Sequence, residues 1–293
     1  MFSEWLGLNR RADNFVGFYR ARSLRYWSRA LSQCRKWLPS ANNTLSSGGS
    51  DLLRDTDRDW NAIAESFPYF GVLAHDRFKR PSARDLIEFF DTGQKDITAY
   101  LETSRRVFGP LEPKSALDFG CGVGRHLIPL ARVTGCATGV DIADAMLLLA
   151  RKHAEDVGLS VTLTKSIPAD RKFDWVNSQI VLQHIPPRRG YAMINQLWRA
   201  VAPDGLLTLH ITAFRDKTHL GEVVRDFSII GYDGERAMNY SEDADQTVGM
   251  SMYDYELSRV FACMPMMDGC EVFLQKVIHG GCHGFRVFVR KRT

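Results

Sequence analysis

The chain has 293 residues, of which 45% are hydrophobic and 25% charged, and its formal net charge is +4. The length suits one α/β domain of ordinary size with additions, and the composition is that of a soluble globular protein. No run of 18 apolar residues exists, so no membrane-spanning helix is expected. The six cysteines show no CxxC pairing, which disfavours a disulfide framework and favours a reducing, cytoplasmic location.

Residues 1–38 form a basic segment. Eight cationic and two acidic residues give residues 1–40 a net charge of +6, which leaves −2 for the rest of the chain. Aromatic residues recur between the arginines at helical spacing, which predicts a basic amphipathic helix. Through residues 10–38 it could dock on an anionic membrane surface, at the inner face, or on a partner protein; alternatively it packs on the domain. An organelle transit peptide also stays open, whereas the lack of a second basic stripe disfavours nucleic-acid binding.

Residues 39–51 (PSANNTLSSGGSD) read as a flexible linker because they are polar and rich in glycine and serine. Residues 52–110 predict a helical lead-in. Its three expected helices are Asp59–Ser66, one capped by Ser82 and running through Phe90, and one from Thr92 or Gly93 to Val107. The aromatic side chains expected in its core, rather than in a substrate cage, are Trp60, Phe67, Tyr69 and Phe70.

The stretch ALDFGCGVGRHLIPLA, residues 116–131, predicts a strand, a glycine turn and a helix start. Gly120, Gly122 and Gly124 permit positive φ angles and let a bound group touch the backbone. Free N–H groups and the positive end of the helix would face that group. The turn lacks the Lys-Ser/Thr of a phosphate loop, and its G-x-G-x-G spacing brings the third glycine one residue earlier than a dinucleotide fingerprint does.

A second strand, residues 136–140, ends at Asp141 with Ile142 beside it. An acid at the tip of the second parallel strand can accept hydrogen bonds from both hydroxyls of a ribose, and an apolar neighbour can cover an adenine face. A helix follows over residues 143–157, with Met146 facing inward. The sequence therefore predicts a nucleoside-binding site at this edge of the sheet.

Four blocks, LDFGCGVGR, GVDIADAM, FDWVNSQIVLQHIPP and LWRAVAPDGLLTLHI, occur in order between residues 117 and 211. With them the sequence resembles the class I S-adenosylmethionine-dependent methyltransferases. The resemblance implies an α/β fold with a doubly wound, mostly parallel seven-stranded sheet over residues 111–293. It also implies S-adenosylmethionine as cofactor and S-adenosylhomocysteine as product. The expected acceptor is a small molecule or a glycan or lipid precursor. Methylation of protein or nucleic acid, and a non-catalytic cofactor-binding regulator, stay as alternatives.

The resemblance assigns the cofactor site to Asp118, Gly120, Gly122, Gly124, Asp141, Ile142, Met146, Ser166, Ile167, Asn177 and Ser178. One position departs from the family, in which an acid commonly follows the third strand and reads the adenine amino group. This chain has Lys165-Ser166-Ile167 there, so the Ser166 hydroxyl or backbone atoms would take over.

His184 is the candidate general base, because its ordinary pKa lies near neutrality and it follows the fourth strand. The alternative is that Gln183 and His184 only shape the loop. The long connection 213–250, after the fifth strand and its His210, is expected to form a substrate wall or lid.

The C-terminal part predicts a helix over Ser251–Met264 and two strands, EVFLQKVIH and GFRVFVRKR, joined by a flexible turn GGCHG. Cys270, His279, Cys282 and His283 lack paired metal-ligand spacing, so no metal site is predicted. The oligomeric state is not predicted.

Overall fold

The computed structural model describes residues 56–215, 229–232, 235–239, 251–265, 269–279 and 281–292. The predicted basic helix of residues 1–38, the predicted linker 39–51 and most of the predicted lid lie outside these residues. The described residues all belong to one compact unit, Leu52–Thr293. Within the described ranges no helix combines the length and apolarity needed to cross a membrane.

Ten strands are described, and seven of them form the main sheet. The strands are β1 Ala116–Phe119, β2 Ala137–Val140, β3 Thr162–Thr164, β4 Phe173–Ser178, β5 Val201–Arg215, β6 Ile229–Tyr232, β7 Glu235–Asn239, β8 Ser251–Tyr253, β9 Glu271–His279 and β10 Cys282–Arg290. The order in the main sheet is β3-β2-β1-β4-β5-β10-β9, while β6, β7 and β8 form a small sheet. Strands β1 to β5 are parallel, and β10 runs antiparallel between β5 and β9. The predicted mostly parallel seven-stranded sheet is confirmed.

Seven α-helices accompany the strands in the described ranges. They are α1 Thr56–Ser66, α2 Pro68–Val72, α3 Ala83–Phe108, α4 Leu127–Thr134, α5 Asp144–Asp156, α6 Pro187–Ala200 and α7 Leu257–Ala262. Pro129 is the third residue of α4, where its missing N–H removes no intrahelical hydrogen bond. The strand–glycine turn–helix order predicted for residues 116–131 is therefore correct.

The predicted division of α3 into two helices is wrong. Ser82 caps the helix as expected, in a reciprocal capping box with Asp85, but the helix then continues unbroken to Phe108. Gly93 lies in its interior, where a Cβ would come 2.0 Å from the carbonyl oxygen of Arg125. The glycine thus permits a close approach between α3 and the turn after β1 instead of ending a helix.

Two C-terminal predictions are corrected as well. Residues 251–253 form β8, which pairs with β7, so the helix predicted over Ser251–Met264 is confined to α7. Strand β10 begins at Cys282 and pairs with β5 from there, so residues 282–284 are strand rather than a flexible turn. Both errors arise because pairing with a distant strand overrides the local pattern.

Alternating side chains cover the two faces of the sheet. Trp175 and Leu206 pack in a cluster with α3 and α4, whereas Val176 and Leu207 pack with α6 and α7. A third cluster contains residues of α1, α3 and α5. Tyr69 and Phe70 are partly buried against it, as predicted. Phe67 was expected in the core, but it is 40% exposed in the break between α1 and α2.

Candidate functional site

A cavity of about 240 Å³ lies at the carboxyl ends of the parallel strands. The strand order reverses between β1 and β4, which is where ligands bind in doubly wound sheets. The wall residues at or just after the ends of successive strands are Phe119, Gly120 and Gly122 for β1, Val140 to Ala143 for β2, Lys165 to Ile167 for β3, and Gln179 to Val181 for β4. Each short strand therefore delivers its following loop to one site.

The glycine turn is closely packed on both sides. Gly120, Gly122 and Gly124 have φ angles of 71°, 51° and 95°. A Cβ on Gly120 would come 2.3 Å from Val181, and one on Gly122 would come 2.6 Å from Val72. Gly120 and Gly122 line the cavity, while Gly124 faces α5 instead. The turn thus leaves room for no side chain where its backbone borders the cavity.

Asp141 ties the second strand to the glycine turn. One carboxylate oxygen accepts the N–H of Gly122 at 2.8 Å, and the other accepts the N–H of Ala143 at 3.0 Å. Burial raises the pKa of Asp141, and these backbone hydrogen bonds oppose that effect. The side chain lines the cavity next to Ile142. Both residues therefore lie where the sequence placed them, and the carboxylate retains lone pairs for a ligand.

Three predicted cofactor contacts lie beneath the cavity wall. Asp118, Asn177 and Ser178 are buried and are not among the wall residues. The Asn177 amide donates to Asp118 at 2.8 Å, and its oxygen accepts from the Gln179 amide at 3.3 Å. Burial raises the pKa of Asp118 to about 7, although the hydrogen bond from Asn177 and the charge of Arg125 act against it. Gln179 connects this buried layer to the cavity.

Ile180 marks the loop after β4 as strained. It has a φ of 59°, in the left-handed region that a β-branched residue rarely adopts. Such backbone costs on the order of 1–3 kcal/mol and concentrates at functional sites. Ile180 lines the cavity, and the sequence pattern gives no sign of this conformation.

A buried charge cluster holds the glycine turn to α3. Asp96 accepts a hydrogen bond from Arg125 at 2.8 Å, and its same oxygen lies 2.9 Å from a ring nitrogen of His126. Burial acts to raise the pKa of Asp96, but the hydrogen bond from His126 and the charge of Arg125 outweigh it and lower the pKa to about 2. Burial, and then the charge of Arg125, lowers the pKa of His126 to about 4. A charged Asp96–Arg125 pair thus fixes the turn.

Another part of the cavity wall combines α1, α6 and the loop after β4. Trp60 was predicted to be a core residue, but it lines the cavity and places its ring 4.9 Å from that of His184, at 64°. Asp57 and Arg189 form an ion pair of 2.5 Å between α1 and α6. His184 is buried and lines the cavity, so it lies at the predicted site. A lone tryptophan on a short helix carries no local signal of this placement.

The predicted adenine-binding residues come together on another part of the wall. Ile142, Met146, Ser166 and Ile167 all line the cavity. Lys165, which also lines it, forms an ion pair of 2.7 Å with Asp144. No acid occurs among the wall residues that follow β3, as the sequence shows.

His210 lies away from the cavity. His210 is buried within β5 opposite Arg286 and is not a wall residue. Across the described ranges, no group of three or more His, Cys, Asp and Glu side chains is placed to hold a metal ion.

Sequence comparison finds the methyltransferase domain family over residues 116–205. The ubiquinone biosynthesis O-methyltransferase of Methylobacterium nodulans is 34% identical over 122 residues, covering 38% of this chain and 48% of that protein. The enzyme of the same name from Actinobacillus pleuropneumoniae is 33% identical over 104 residues, covering 32% of this chain and 44% of that protein. The chain thus spans about half the length of the curated relatives it matches.

Solved structures show the same fold. Magnesium protoporphyrin IX methyltransferase from Synechocystis PCC 6803, with bound S-adenosylhomocysteine, aligns with a TM-score of 0.52 at 20% identity, covering 78% of this chain and 98% of that one. An S-adenosylmethionine-dependent methyltransferase from Clostridium acetobutylicum aligns with a TM-score of 0.50 at 14% identity, covering 70% of this chain and 92% of that one. Residues 116–205 thus match a methyltransferase domain, and the chain shares the fold of a solved S-adenosylmethionine-dependent methyltransferase.

Proposed function

We propose that the protein is an enzyme that transfers a methyl group from S-adenosylmethionine to a small-molecule acceptor, of which a glycan or lipid precursor is one class. The observation that carries this proposal is the pairing of Asp141 with the glycine turn at the edge of the cavity. A Cβ on Gly120 or Gly122 would clash with Val181 or Val72, so the backbone itself borders the cavity, and the acid lies next to it. This combination suits an amino-acid tail and a ribose joined in one ligand.

In this proposal, Gly120 and Gly122 border the amino-acid tail, and Asp141 accepts hydrogen bonds from the ribose hydroxyls. The residues proposed around the adenine are Ile142, Met146, Ser166 and Ile167, all of which line the cavity. Gly124 packs the turn on α5, and Asp118, Asn177 and Ser178 support it from below, so their direct contact with the cofactor stays a prediction. When bound, the cofactor supplies a methyl group activated by a sulfonium.

The chain's part in the reaction is chiefly positioning. A nucleophilic acceptor atom must lie about 3–3.5 Å from the methyl carbon, in line with the sulfur. The wall formed by Trp60, His184, Ile185 and Met193 is mostly apolar and borders a cavity of only about 240 Å³, which favours a small acceptor over a protein or nucleic acid. The matched relatives carry names of small-molecule methyltransferases, which supports the same choice. A general-base role for His184 stays a prediction.

Two further elements remain proposals from the sequence alone. The basic segment 10–38 would bring a cytoplasmic enzyme to the inner membrane face or to a partner protein. The connection 213–250 would close over the acceptor. The first of these suits an acceptor built on a lipid.

The cofactor assignment is tested by thermal unfolding. S-adenosylhomocysteine at 100 times its dissociation constant should stabilise the protein by about 2.7 kcal/mol, and NAD should not. Gly122→Ala should abolish this stabilisation, because its Cβ would come 2.6 Å from Val72 on the cavity wall and the turn would have to shift. Gly109→Ala is the matched control, since Gly109 also has a positive φ, of 84°, but open space around its Cβ position. Equal stabilisation by NAD would contradict the proposal. If S-adenosylhomocysteine alone stabilises the protein, methyl transfer to candidate acceptors decides the acceptor class.

A further inference from the structure

The side-chain amide of Gln179 is turned in one direction by a hydrogen bond that only one orientation allows. Nε of Arg286 donates to the side-chain oxygen of Gln179 at 3.3 Å. A guanidinium has N–H donors and no acceptor, so the atom of Gln179 that faces Arg286 must be the oxygen. Arg286 is itself held by the side-chain oxygen of Gln275 at 3.0 Å and lies over the ring of Tyr100, 4.2 Å from its centroid.

The residues on the other side of the amide agree with this orientation. The amide nitrogen of Gln179 donates to the side-chain oxygen of Asn177 at 3.3 Å. The same oxygen accepts from the Thr208 hydroxyl at 2.7 Å, and that hydroxyl accepts from the indole N–H of Trp175 at 3.0 Å. The indole nitrogen, like the guanidinium, only donates. The hydrogen bonds therefore run in one direction from each of these two donors to Asn177.

One N–H of the Gln179 amide is left for a ligand. Gln179 is only 8% exposed, and it lines the cavity. An amide nitrogen carries two N–H donors, and within the described ranges that of Gln179 has Asn177 as its one partner. A buried donor without a partner costs free energy of folding. A donor of this kind in a cavity wall therefore marks the position of a hydrogen-bond acceptor in the bound molecule.

The position of Gln179 brings this donor to the glycine turn. Asp118 of β1 lies opposite Asn177 of β4. Two residues further along the chain from each of them are Gly120 and Gln179, which both line the cavity. The proposed function places Gly120 beside the amino-acid tail of the cofactor. That tail carries an ammonium group, which only donates, and a carboxylate, which only accepts, so an N–H donor suits the carboxylate alone.

We propose that Gln179 is a cofactor-binding residue that donates an amide N–H to the carboxylate of the S-adenosylmethionine tail, and that Arg286 is the positioning residue that turns the amide this way. The orientation of the amide stands on its hydrogen bonds, whereas the ligand rests on the proposed function. In the opposite orientation the amide oxygen would face the tail and would accept from its ammonium group. Arg286 thus determines which end of the tail Gln179 binds.

Two ligands isolate this contact. Decarboxylated S-adenosylhomocysteine keeps the ammonium group and lacks the carboxylate, and calorimetric titration of the full chain gives both dissociation constants. In Gln179→Met, S-adenosylhomocysteine should bind about tenfold or more weakly, which is the range for one charge-assisted hydrogen bond. The decarboxylated ligand should bind within about threefold of its wild-type affinity. An unchanged ratio of the two dissociation constants in Gln179→Met would overturn the proposal.

Gln196→Met is the matched control, because it makes the same change elsewhere on the cavity wall, in α6. It should leave the ratio of the two dissociation constants as in the wild type. A ratio that fell equally in both variants would show that the loss of any wall amide has this effect, and it would overturn the assignment to Gln179.

Variants of Arg286 test what turns the amide. Arg286→Met removes the donor, so the ratio of the two dissociation constants should fall toward that of Gln179→Met. Arg286→Lys keeps an N–H donor and the positive charge, so it should restore most of the wild-type ratio. A merely structural role would weaken the binding of both ligands equally. An unchanged ratio in Arg286→Met would therefore refute the positioning role.

Nuclear magnetic resonance of the wild-type protein tests the contact without any substitution. The side-chain amide signals of Gln179 are assigned through its backbone. S-adenosylhomocysteine should move one of the two N–H proton signals downfield, and the decarboxylated ligand should not. Absence of this shift in the S-adenosylhomocysteine complex would overturn the proposal. Failure of the wild-type protein to bind S-adenosylhomocysteine at all would instead refute the proposed function, and the ligand assignment with it.

Discussion

Gly93 of α3 lies against the backbone of Arg125, the residue that follows the glycine turn. A Cβ at position 93 would come 2.0 Å from the carbonyl oxygen of Arg125 and 2.9 Å from its Cγ. A glycine inside a helix costs about 0.5–1 kcal/mol relative to alanine. The close contact leaves no space for an alanine methyl group, and it links the lead-in helix to the candidate cofactor site.

Gly93→Ala should therefore lower the free energy of unfolding by about 1–3 kcal/mol, because α3 must move away from the turn. The same movement should weaken binding of S-adenosylhomocysteine. Urea unfolding and calorimetric titration measure the two effects. Glu102→Ala, at an exposed position of the same helix, should change stability by less than about 0.5 kcal/mol. A stabilised Gly93→Ala protein would show that the close contact is wrong.

The sequence predicted the sheet, and the position of the glycine turn and Asp141 at its edge, for a physical reason. Apolar runs that end in glycine or an acid are local signals, so β1, the glycine turn and Asp141 could be placed from the residues alone. The part of the cavity wall that contains Trp60 and Gln179 could not be placed in this way. Trp60 of α1 contacts His184 in the loop after β4, which is far from it along the chain. Gln179, next to the unusual backbone at Ile180, lines the cavity, whereas Asn177 does not.

Asp141→Ala should weaken S-adenosylmethionine binding by one to three orders of magnitude, roughly, because each lost charge-assisted hydrogen bond contributes about 1.5–3 kcal/mol. The affinity of Asp141→Asn should lie between those of the wild type and Asp141→Ala, since the amide oxygen still accepts a hydrogen bond. Calorimetric titration measures both, with folding checked by circular dichroism. Asp156→Ala, exposed at the end of α5, is the control. If the folded Asp141→Ala protein bound within about threefold of wild type, the ribose contact would be wrong.

Asp118 gives stability a pH dependence with a definite sign. Burial raises its pKa to about 7, against about 3.9 in an unfolded chain. Between these values the native state holds a proton that the unfolded state has lost, so this group's contribution to stability falls as pH rises from about 4 to 7.

The comparison with Asp118→Asn isolates this effect. The variant should gain stability relative to wild type by up to about 1.4 kcal/mol per pH unit in that window, and the difference should level off above it. Urea unfolding at a series of pH values measures the difference, and Asp156→Asn should show none. A difference independent of pH would mean that Asp118 is charged throughout.

The ion pair between Asp57 and Arg189 joins α1 to α6 in the cavity wall, and each side chain is 44% exposed. Exposed pairs contribute about 0.2–1 kcal/mol, so Asp57→Asn should speed release of S-adenosylhomocysteine by up to about fivefold, less at high salt. Stopped-flow kinetics measures the release rate. The double variant Asp57→Arg with Arg189→Asp, which exchanges the two charges, should restore the wild-type release rate. Glu88→Gln breaks another exposed pair, with Arg77, and should not change release. Unchanged release in Asp57→Asn would show that this ion pair does not slow the release of S-adenosylhomocysteine.

The basic segment can be tested although it lies outside the described residues. Deleting Met1–Ser50 should leave S-adenosylhomocysteine affinity nearly unchanged and reduce binding to anionic vesicles. Each cation near such a surface contributes about 1 kcal/mol, so a segment of net charge +6 should dominate. Vesicle co-sedimentation at low salt measures this. A full-length protein that stays in the supernatant would leave packing or partner docking as the segment's role.

The position of β10 between β5 and β9 has a consequence for biosynthesis. During translation β5 is finished well before its antiparallel neighbour, which is the last of the described strands to leave the ribosome. Until then β5 presents an unpaired backbone edge flanked by Leu207, Leu209 and Ile211, all fully buried in the finished sheet. Open apolar edges of this kind recruit other chains. The nascent protein is therefore most in need of chaperone protection between the synthesis of these two strands.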